Sequence, residues 1–340
     1  MKNILKLKNN FFTIIMLVVA LHSSAQDARF TQVLSNPLTL NPAMMGLNSD
    51  LSFTGQIRDQ WGSINSGYRT FAFTALAPAY RKTNGTDKLD FGFNAISDVA
   101  GAYNSLNLSL AAGYNLKISE SSFLNVSFMG GMVQRTLDLN KLTFDQQYVL
   151  GTYNANNPNN ETTLNKKITF ADISVGALWY SAPTKINLGK ERTVSGYAGA
   201  SVFHLNTPPN ESFAGGTASL PMRFSYQAGI KFIGDKIDVS PNAYINYQKG
   251  NNNMAAGLLL DYRFDAINKL SLGIWIRDKD AVAFCAGYTW LNYRLMYSYD
   301  VSSPSTISNA ASALGAHELT FCVRFDRAKE RRVTVVPSFL

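Results

Sequence analysis

The chain has 340 residues, 46% of them hydrophobic and only 16% charged, with a formal net charge of +8. That charged fraction is low beside the roughly 25% of soluble domains, and the basic residues are scattered, which excludes nucleic acid as an expected partner. Two cysteines, Cys285 and Cys322, are too few for a disulfide framework.

Lys2, Lys6 and Lys8 precede an apolar run from Phe11 to Leu21, and Ser23 and Ala25 offer small residues before Gln26. This predicts a signal peptide over 1–25, cleaved after Ala25. The apolar run is too short to span a bilayer, and no later stretch is long and apolar enough for a spanning helix. No Cys follows the cleavage point, so no lipidated N-terminal Cys is expected.

Residues 26–50 read as a lead-in or plug on the periplasmic side. Pro37 and Pro42 fix φ and bias Asn36 and Asn41 away from helix. Asn36 and Asn41 are placed to close Asx-turns. Gly46 permits a positive-φ bend. A compact, non-helical segment against or inside the periplasmic mouth is the expectation.

From Leu51 onward the dominant signal is strict alternation of apolar and polar residues. Leu106, Leu108, Leu110, Ala112, Tyr114 and Leu116 point one way; Asn107, Ser109, Ala111, Gly113 and Asn115 point the other. Predicted strands cover Leu51–Trp61, Arg69–Ala79, Lys88–Ile96, Tyr103–Lys117, Ser122–Leu137, Ile168–Ser181 and Arg192–Leu205. They continue with Pro221–Ile233, Lys236–Gln248, Asn252–Phe264, Lys269–Arg277, Asp280–Thr289, Leu291–Val301 and His317–Phe325. Most have the length a tilted strand needs to cross a membrane. Tyr103, Tyr114, Trp179, Tyr247, Tyr262, Trp290, Tyr293 and Tyr299 read as lying on the apolar face near strand ends, as in an interfacial girdle. A soluble sandwich would have shorter strands.

The fold class that follows is all-β: a transmembrane antiparallel β-barrel of about fourteen strands, of outer-membrane type, over 51–325. A short tail, 326–340, remains on the periplasmic side. The longest connections, Asp138–Lys167, Asn206–Leu220 and Ser302–Ala316, all follow odd-numbered strands and fall on one side, the outside. Tight turns such as Gly234-Asp235 fall on the other. Such a barrel is on the order of 28 Å across, too wide for wall side chains to fill. Its lumen must hold water, a folded-in segment or a partner. Inward positions read as charged or small on nearly every strand, with mixed signs: Asp90, Asp172, Lys231, Arg277, Asp300 and Glu318 among them. Cys285 and Cys322 face inward one strand apart, too far for a bridge.

Chemistry-bearing motifs are lacking. His204 and His317 have no metal-ligand spacing around them, and no nucleophile elbow, phosphate loop or dinucleotide fingerprint stands out. Neither catalysis nor a cofactor is expected.

Specific runs remain. Q-D-A-R-F-T-Q begins at Gln26, N-P-L-T-L-N-P-A-M-M-G spans Asn36–Gly46, and R-D-Q-W spans Arg58–Trp61. S-D-V-A-G follows at Ser97–Gly101, L-T-F-D-Q at Leu142–Gln146, S-V-F-H-L-N-T-P at Ser201–Pro208, and H-E-L-T-F at His317–Phe321. In this order they resemble the PorP/SprF family of Bacteroidetes outer-membrane proteins, associated with type IX secretion. The family often ends in a Cys-Pro-basic-aromatic sequence; this chain ends in Val335-Val336-Pro337-Ser338-Phe339-Leu340, so no role of that Cys carries over.

The resemblance implies a barrel that anchors a secreted surface protein through its C-terminal domain, as for gliding adhesins, or links to other type IX components. Partner-binding candidates are Asn36, Pro37, Asn41, Pro42 and Gly46 in the lead-in, and Arg58 and Trp61 in R-D-Q-W. Tyr148 and Tyr153 in the longest outer loop and His204 in S-V-F-H complete the set. Expected partners are a secreted protein with a type IX C-terminal domain, other secretion components and outer-membrane lipid. The alternative is a passive channel for apolar solutes, like the fatty-acid transporters, whose plug sequence Asn41-Pro42-Ala43 echoes. That route requires an apolar interior pocket and a lateral gap.

Overall fold

A computed structural model describes residues 29–48, 50–62, 67–81, 88–149, 152–154, 156–158, 167–187, 191–208, 213, 219–302 and 315–325. The expected signal peptide and C-terminal tail lie outside the described residues. Among those described, seventeen strands follow three short 3-10 helices. They are β1 (Leu51–Gln60), β2 (Tyr68–Arg81), β3 (Lys88–Ala100), β4 (Tyr103–Lys117), β5 (Ser122–Leu137), β6 (Tyr148–Val149), β7 (Thr152–Tyr153), β8 (Lys167–Ser181) and β9 (Thr184–Asn187). The series ends with β10 (Glu191–Phe203), β11 (Arg223–Ile233), β12 (Ile237–Gln248), β13 (Asn251–Arg263), β14 (Asn268–Arg277), β15 (Ala281–Trp290), β16 (Tyr293–Ser302) and β17 (Ala316–Phe325).

Fourteen of these close an antiparallel barrel. β1 pairs with β17, and β10 with both β8 and β11, so the fourteen-strand wall closes on itself. β9 extends the wall beside β10, and β6 and β7 form a separate hairpin in the loop between β5 and β8. Alternation along β4 is reproduced: Leu110 is 67% exposed on the outer face, while its neighbour Ser109 is 7% exposed on the inner face. Tyr114, Trp179, Tyr247, Tyr262, Trp290 and Tyr293 face outward, whereas Tyr103, expected among them, lines a lumen cavity because it shares the side of β4 that carries Ser105, Asn107 and Ser109. Pro78, which has no N–H to give the ladder, coincides with a register shift between Pro78 and Tyr80.

The connections sort by end. One end carries 138–166, 204–222 and 303–315; the other carries short turns such as 118–121, 234–236 and 264–267. Long loops mark the outer end of such barrels. The tight hairpin at Lys249 and Gly250 also lies at the outer end. Both residues have positive φ, which matches the right-handed twist of the strands they join.

The lumen is filled by the protein itself. Thr31 lies at the outer end and Asn48 at the periplasmic end, so residues 31–48 cross the barrel interior. This segment is not free of helix: Val33–Ser35, Pro37–Thr39 and Pro42–Leu47 are 3-10 turns. Pro37 and Pro42 each start a turn, where a missing N–H costs nothing. Asn36 and Asn41 stay outside the helical region, as the prolines require.

The wall is also less polar than the sequence indicated. Tyr180, Tyr197, Tyr244 and Trp275 point inward and pack with Met44, Leu40 and Leu47 of the plug. These aromatics occupy positions that look like lipid-face residues until the register is known. Their partner is the plug's apolar side, so this part of the lumen is a core.

Candidate functional site: the clamped plug and the outer rim

At the outer end, four wall side chains grip the start of the plug. Arg58 on β1 lies 2.6 Å from Asp300 on β16 and 3.3 Å from Glu318 on β17. Arg277 on β14 binds the same Asp300 oxygen at 2.7 Å and Asp280 at 2.8 Å. Thr31 completes the network. Its hydroxyl donates to Asp300 at 2.6 Å and accepts from Arg58 and Arg277, each at 2.8 Å. The backbone N–H groups of Thr31 and Gln32 donate to the two Glu318 oxygens at 2.7 and 2.8 Å. Glu318 is 1% exposed, and each buried charge has an opposite charge and hydrogen bonds, which offsets desolvation.

In mid-lumen, Asn41 is the pin. Its side-chain NH2 donates to the carbonyls of Ala177 on β8 and Ala200 on β10 at 3.0 and 3.1 Å. Its oxygen accepts from Ala43 N–H at 2.8 Å, which is the expected Asx-type cap. Gly176 makes the approach possible, because a Cβ there would collide with Asn41 Oδ1. Asn36 behaves otherwise: its side chain caps nothing, and its backbone carbonyl instead accepts from Thr39.

At the periplasmic end, Lys88 Nζ donates to Gly46 O and Asn48 O at 3.2 and 2.6 Å and pairs with Asp90 at 3.0 Å. Gly46 does not adopt positive φ; it lies within the last 3-10 turn. Its importance is space. A Cβ would lie 2.7 Å from Asn115 Oδ1 and 2.8 Å from Asn125 Nδ2.

The structure therefore divides the sequence-predicted residues into two groups. Asn36, Pro37, Asn41, Pro42, Gly46 and Arg58 are all buried in or against the plug. Trp61, Tyr148, Tyr153 and His204 lie at or above the outer end. Trp61 has φ 58°, packs edge-on against Tyr68 at 5.2 Å, and its backbone N–H donates to Gly315 O. Tyr148 and Tyr153 pair across the β6–β7 hairpin with rings 5.4 Å apart, both exposed.

His204 is buried, with φ 57°, directly after β10, and its Nδ1 lies 2.9 Å from Asp172. Beside it opens a cavity of about 90 Å³ lined by Asp98, Tyr103, Arg135, Asp172 and Arg223. Arg223 stacks over the Phe203 ring at 4.1 Å and donates to Thr39 O of the plug. Sequence reading missed the His204–Asp172 pair, which joins neighbouring strands 32 residues apart; only strand register could have found it. Among the described residues, no group of three or more His, Cys, Asp or Glu could hold a metal ion. Cys285 and Cys322 are free and buried.

The profile of the family described as type IX secretion system membrane protein PorP/SprF matches residues 22–323. The chain belongs to the PorP/SprF family. Nothing among curated proteins matches it. Solved barrels do. The CymD monoaromatic hydrocarbon channel is 11% identical, with 86% of this chain and 93% of that one covered and a TM-score of 0.51. The translocator domain of autotransporter NalP from Neisseria meningitidis is 15% identical over 86% and 95%, with a TM-score of 0.39. The P. putida toluene transporter TodX is 8% identical over 84% and 93%, with a TM-score of 0.44. This PorP/SprF protein is an outer-membrane β-barrel of the type IX secretion system.

Proposed function

We propose that this PorP/SprF barrel is a non-catalytic holder, which captures the C-terminal domain of a secreted surface protein at its outer end. The observation that carries this reading is the plug. Clamped at Thr31, pinned at Asn41 and tied down at Gly46, it turns the barrel into a closed pedestal. What a closed pedestal offers the outside is its rim and loops. There the Tyr148–Tyr153 hairpin presents two exposed aromatic rings, large rigid contact surfaces of the kind that anchor protein interfaces. Membership of a secretion-system family supports a partner drawn from that system. The competing reading, a passive channel for apolar solutes, shares a plug of this kind; it needs a free apolar pocket and a lateral gap, and here the apolar part of the lumen is packed by the plug's own Leu40, Met44 and Leu47.

The test is deletion of Gly151–Glu161 from the loop that carries this hairpin. Exposed loop tips tolerate change, so the barrel still inserts. Recovery of a large secreted protein in pull-downs falls, with less of that protein on the cell surface. A deletion variant that inserts and retains its partner at full yield removes the loop from the grip. A wild type that brings down no secreted protein yet imports apolar solutes replaces this reading with the channel.

A further inference from the structure

The periplasmic end of the lumen carries a charge imbalance that neither plug nor clamp uses. On one side of the wall, from β11 to β16, Lys231, Arg263, Lys269 and Arg294 meet the carboxylates of Asp238 and Asp261. Lys231 and Arg263 share Asp238 at 3.7 and 3.0 Å, and Lys269 takes Asp261 at 3.2 Å. Asp261 also attracts Arg294, so four cations share two carboxylates. Strand register sets Arg263, Lys269, Thr289, Arg294 and Cys322 side by side in one row around the inner wall.

Two members of that row are buried donors without acceptors. Arg294 Nε and Thr289 Oγ1, directly opposite each other on β16 and β15, have no hydrogen-bond partner among the described residues. A buried, unmade donor is costly, and one on a guanidinium more so. Arg294 also borders a small cavity of about 20 Å³ between wall and plug, together with Pro37, Asn48, Thr54 and Cys322. Thr320 Oγ1, also buried without a partner among the described residues, lines that same cavity, and a guanidinium and a hydroxyl facing one small space have the chemistry of an oxyanion site.

We infer that this row is a carboxylate-binding site at the periplasmic mouth, which receives an acidic segment of a periplasmic protein. The size of the space suits a single carboxylate head, and the local excess of positive charge selects its sign. The chain's own tail is a poor occupant. Beyond Phe325 it carries Arg327, Lys329, Arg331 and Arg332 against Asp326 and Glu330, so it adds to the positive charge. The inference is independent of capture at the outer end and survives its failure.

The experiment is a titration of purified full-length protein in detergent with a fluorescent hexaglutamate peptide, with inorganic phosphate as a second probe. Binding is expected to weaken with salt. Arg294→Gln weakens it about tenfold and Thr320→Val about threefold, the loss of a charged and of a neutral hydrogen bond respectively. Arg294→Lys keeps most of it. Joint Arg327→Gln, Lys329→Gln, Arg331→Gln and Arg332→Gln leaves it within about twofold. Heat-modifiable gel migration checks each variant's fold. A folded Arg294→Gln protein that binds like wild type overturns the site, as does a loss confined to the tail variant. Phosphate binding without peptide binding overturns the acidic segment as ligand. Should Arg294→Gln fail to fold, Thr320→Val decides: unchanged peptide affinity there overturns the site.

Discussion

Single side chains hold the plug, and their removal has graded consequences. Asp300 is the hub: it accepts from Arg58, Arg277 and Thr31 at once. Asp300→Ala leaves two buried guanidiniums without their shared carboxylate, a loss of about 3–5 kcal/mol for broken buried pairs. The temperature of the gel shift is expected to fall accordingly; an unchanged transition would mean that the clamp contributes nothing. Gly176→Ala acts at a distance from any charge. Its Cβ would occupy the place of the Asn41 amide, so both bonds from Asn41 to the wall are lost. The expected result is a barrel that assembles but becomes permeable to small solutes in vesicles. A tight, wild-type-like barrel would show that Asn41 is not the pin.

Strands and turns were the most legible part of the sequence. β4 and β5 begin and end where alternation predicts, because each has one face in lipid and one on the plug. Leu110→Arg therefore costs roughly 2–4 kcal/mol if it meets lipid at the midplane, whereas Ser109→Arg extends into the polar cavity beside the plug. Assembly yield measures the difference, and equal damage would disprove the register. The misses have physical causes. β3 runs on to Ala100 because Ser97–Ala100 still pairs with β2, although alternation fades at the rim. β16 starts at Tyr293 rather than at the expected Leu291, because Leu291 turns with φ 53° and so belongs to the hairpin.

The turn before β14 adds a pH test. The Asp265 carboxylate accepts from the Asn268 side chain and from the backbone N–H groups of Ile267 and Asn268, which holds its pKa below the usual carboxylate range. A depressed folded-state pKa means that the stabilisation is present above the unfolded value and is lost as pH falls through the folded one. The amide signals of Ile267 and Asn268 should thus titrate below about pH 3.9. Titration at or above that value would contradict these hydrogen bonds.

At the scale of the whole molecule, the account is a closed barrel that works through its ends. The lumen had to hold something, and the width of fourteen strands made that legible in the sequence. Residues 26–50 were readable as a lead-in or plug, but the contacts that hold them were not. The plug's contacts join residues more than 260 positions apart, such as Thr31 and Glu318, and no local pattern encodes such pairings. Likewise the inward aromatics Tyr244 and Trp275 were readable as apolar but not as members of the core that the wall shares with the plug. The most direct test is single-channel recording of the wild type in a planar bilayer, beside the Gly176→Ala variant as the loosened control. The account predicts a silent wild type and open-channel steps in the variant. Large, steady conductance from the wild type itself would contradict a closed, plugged barrel.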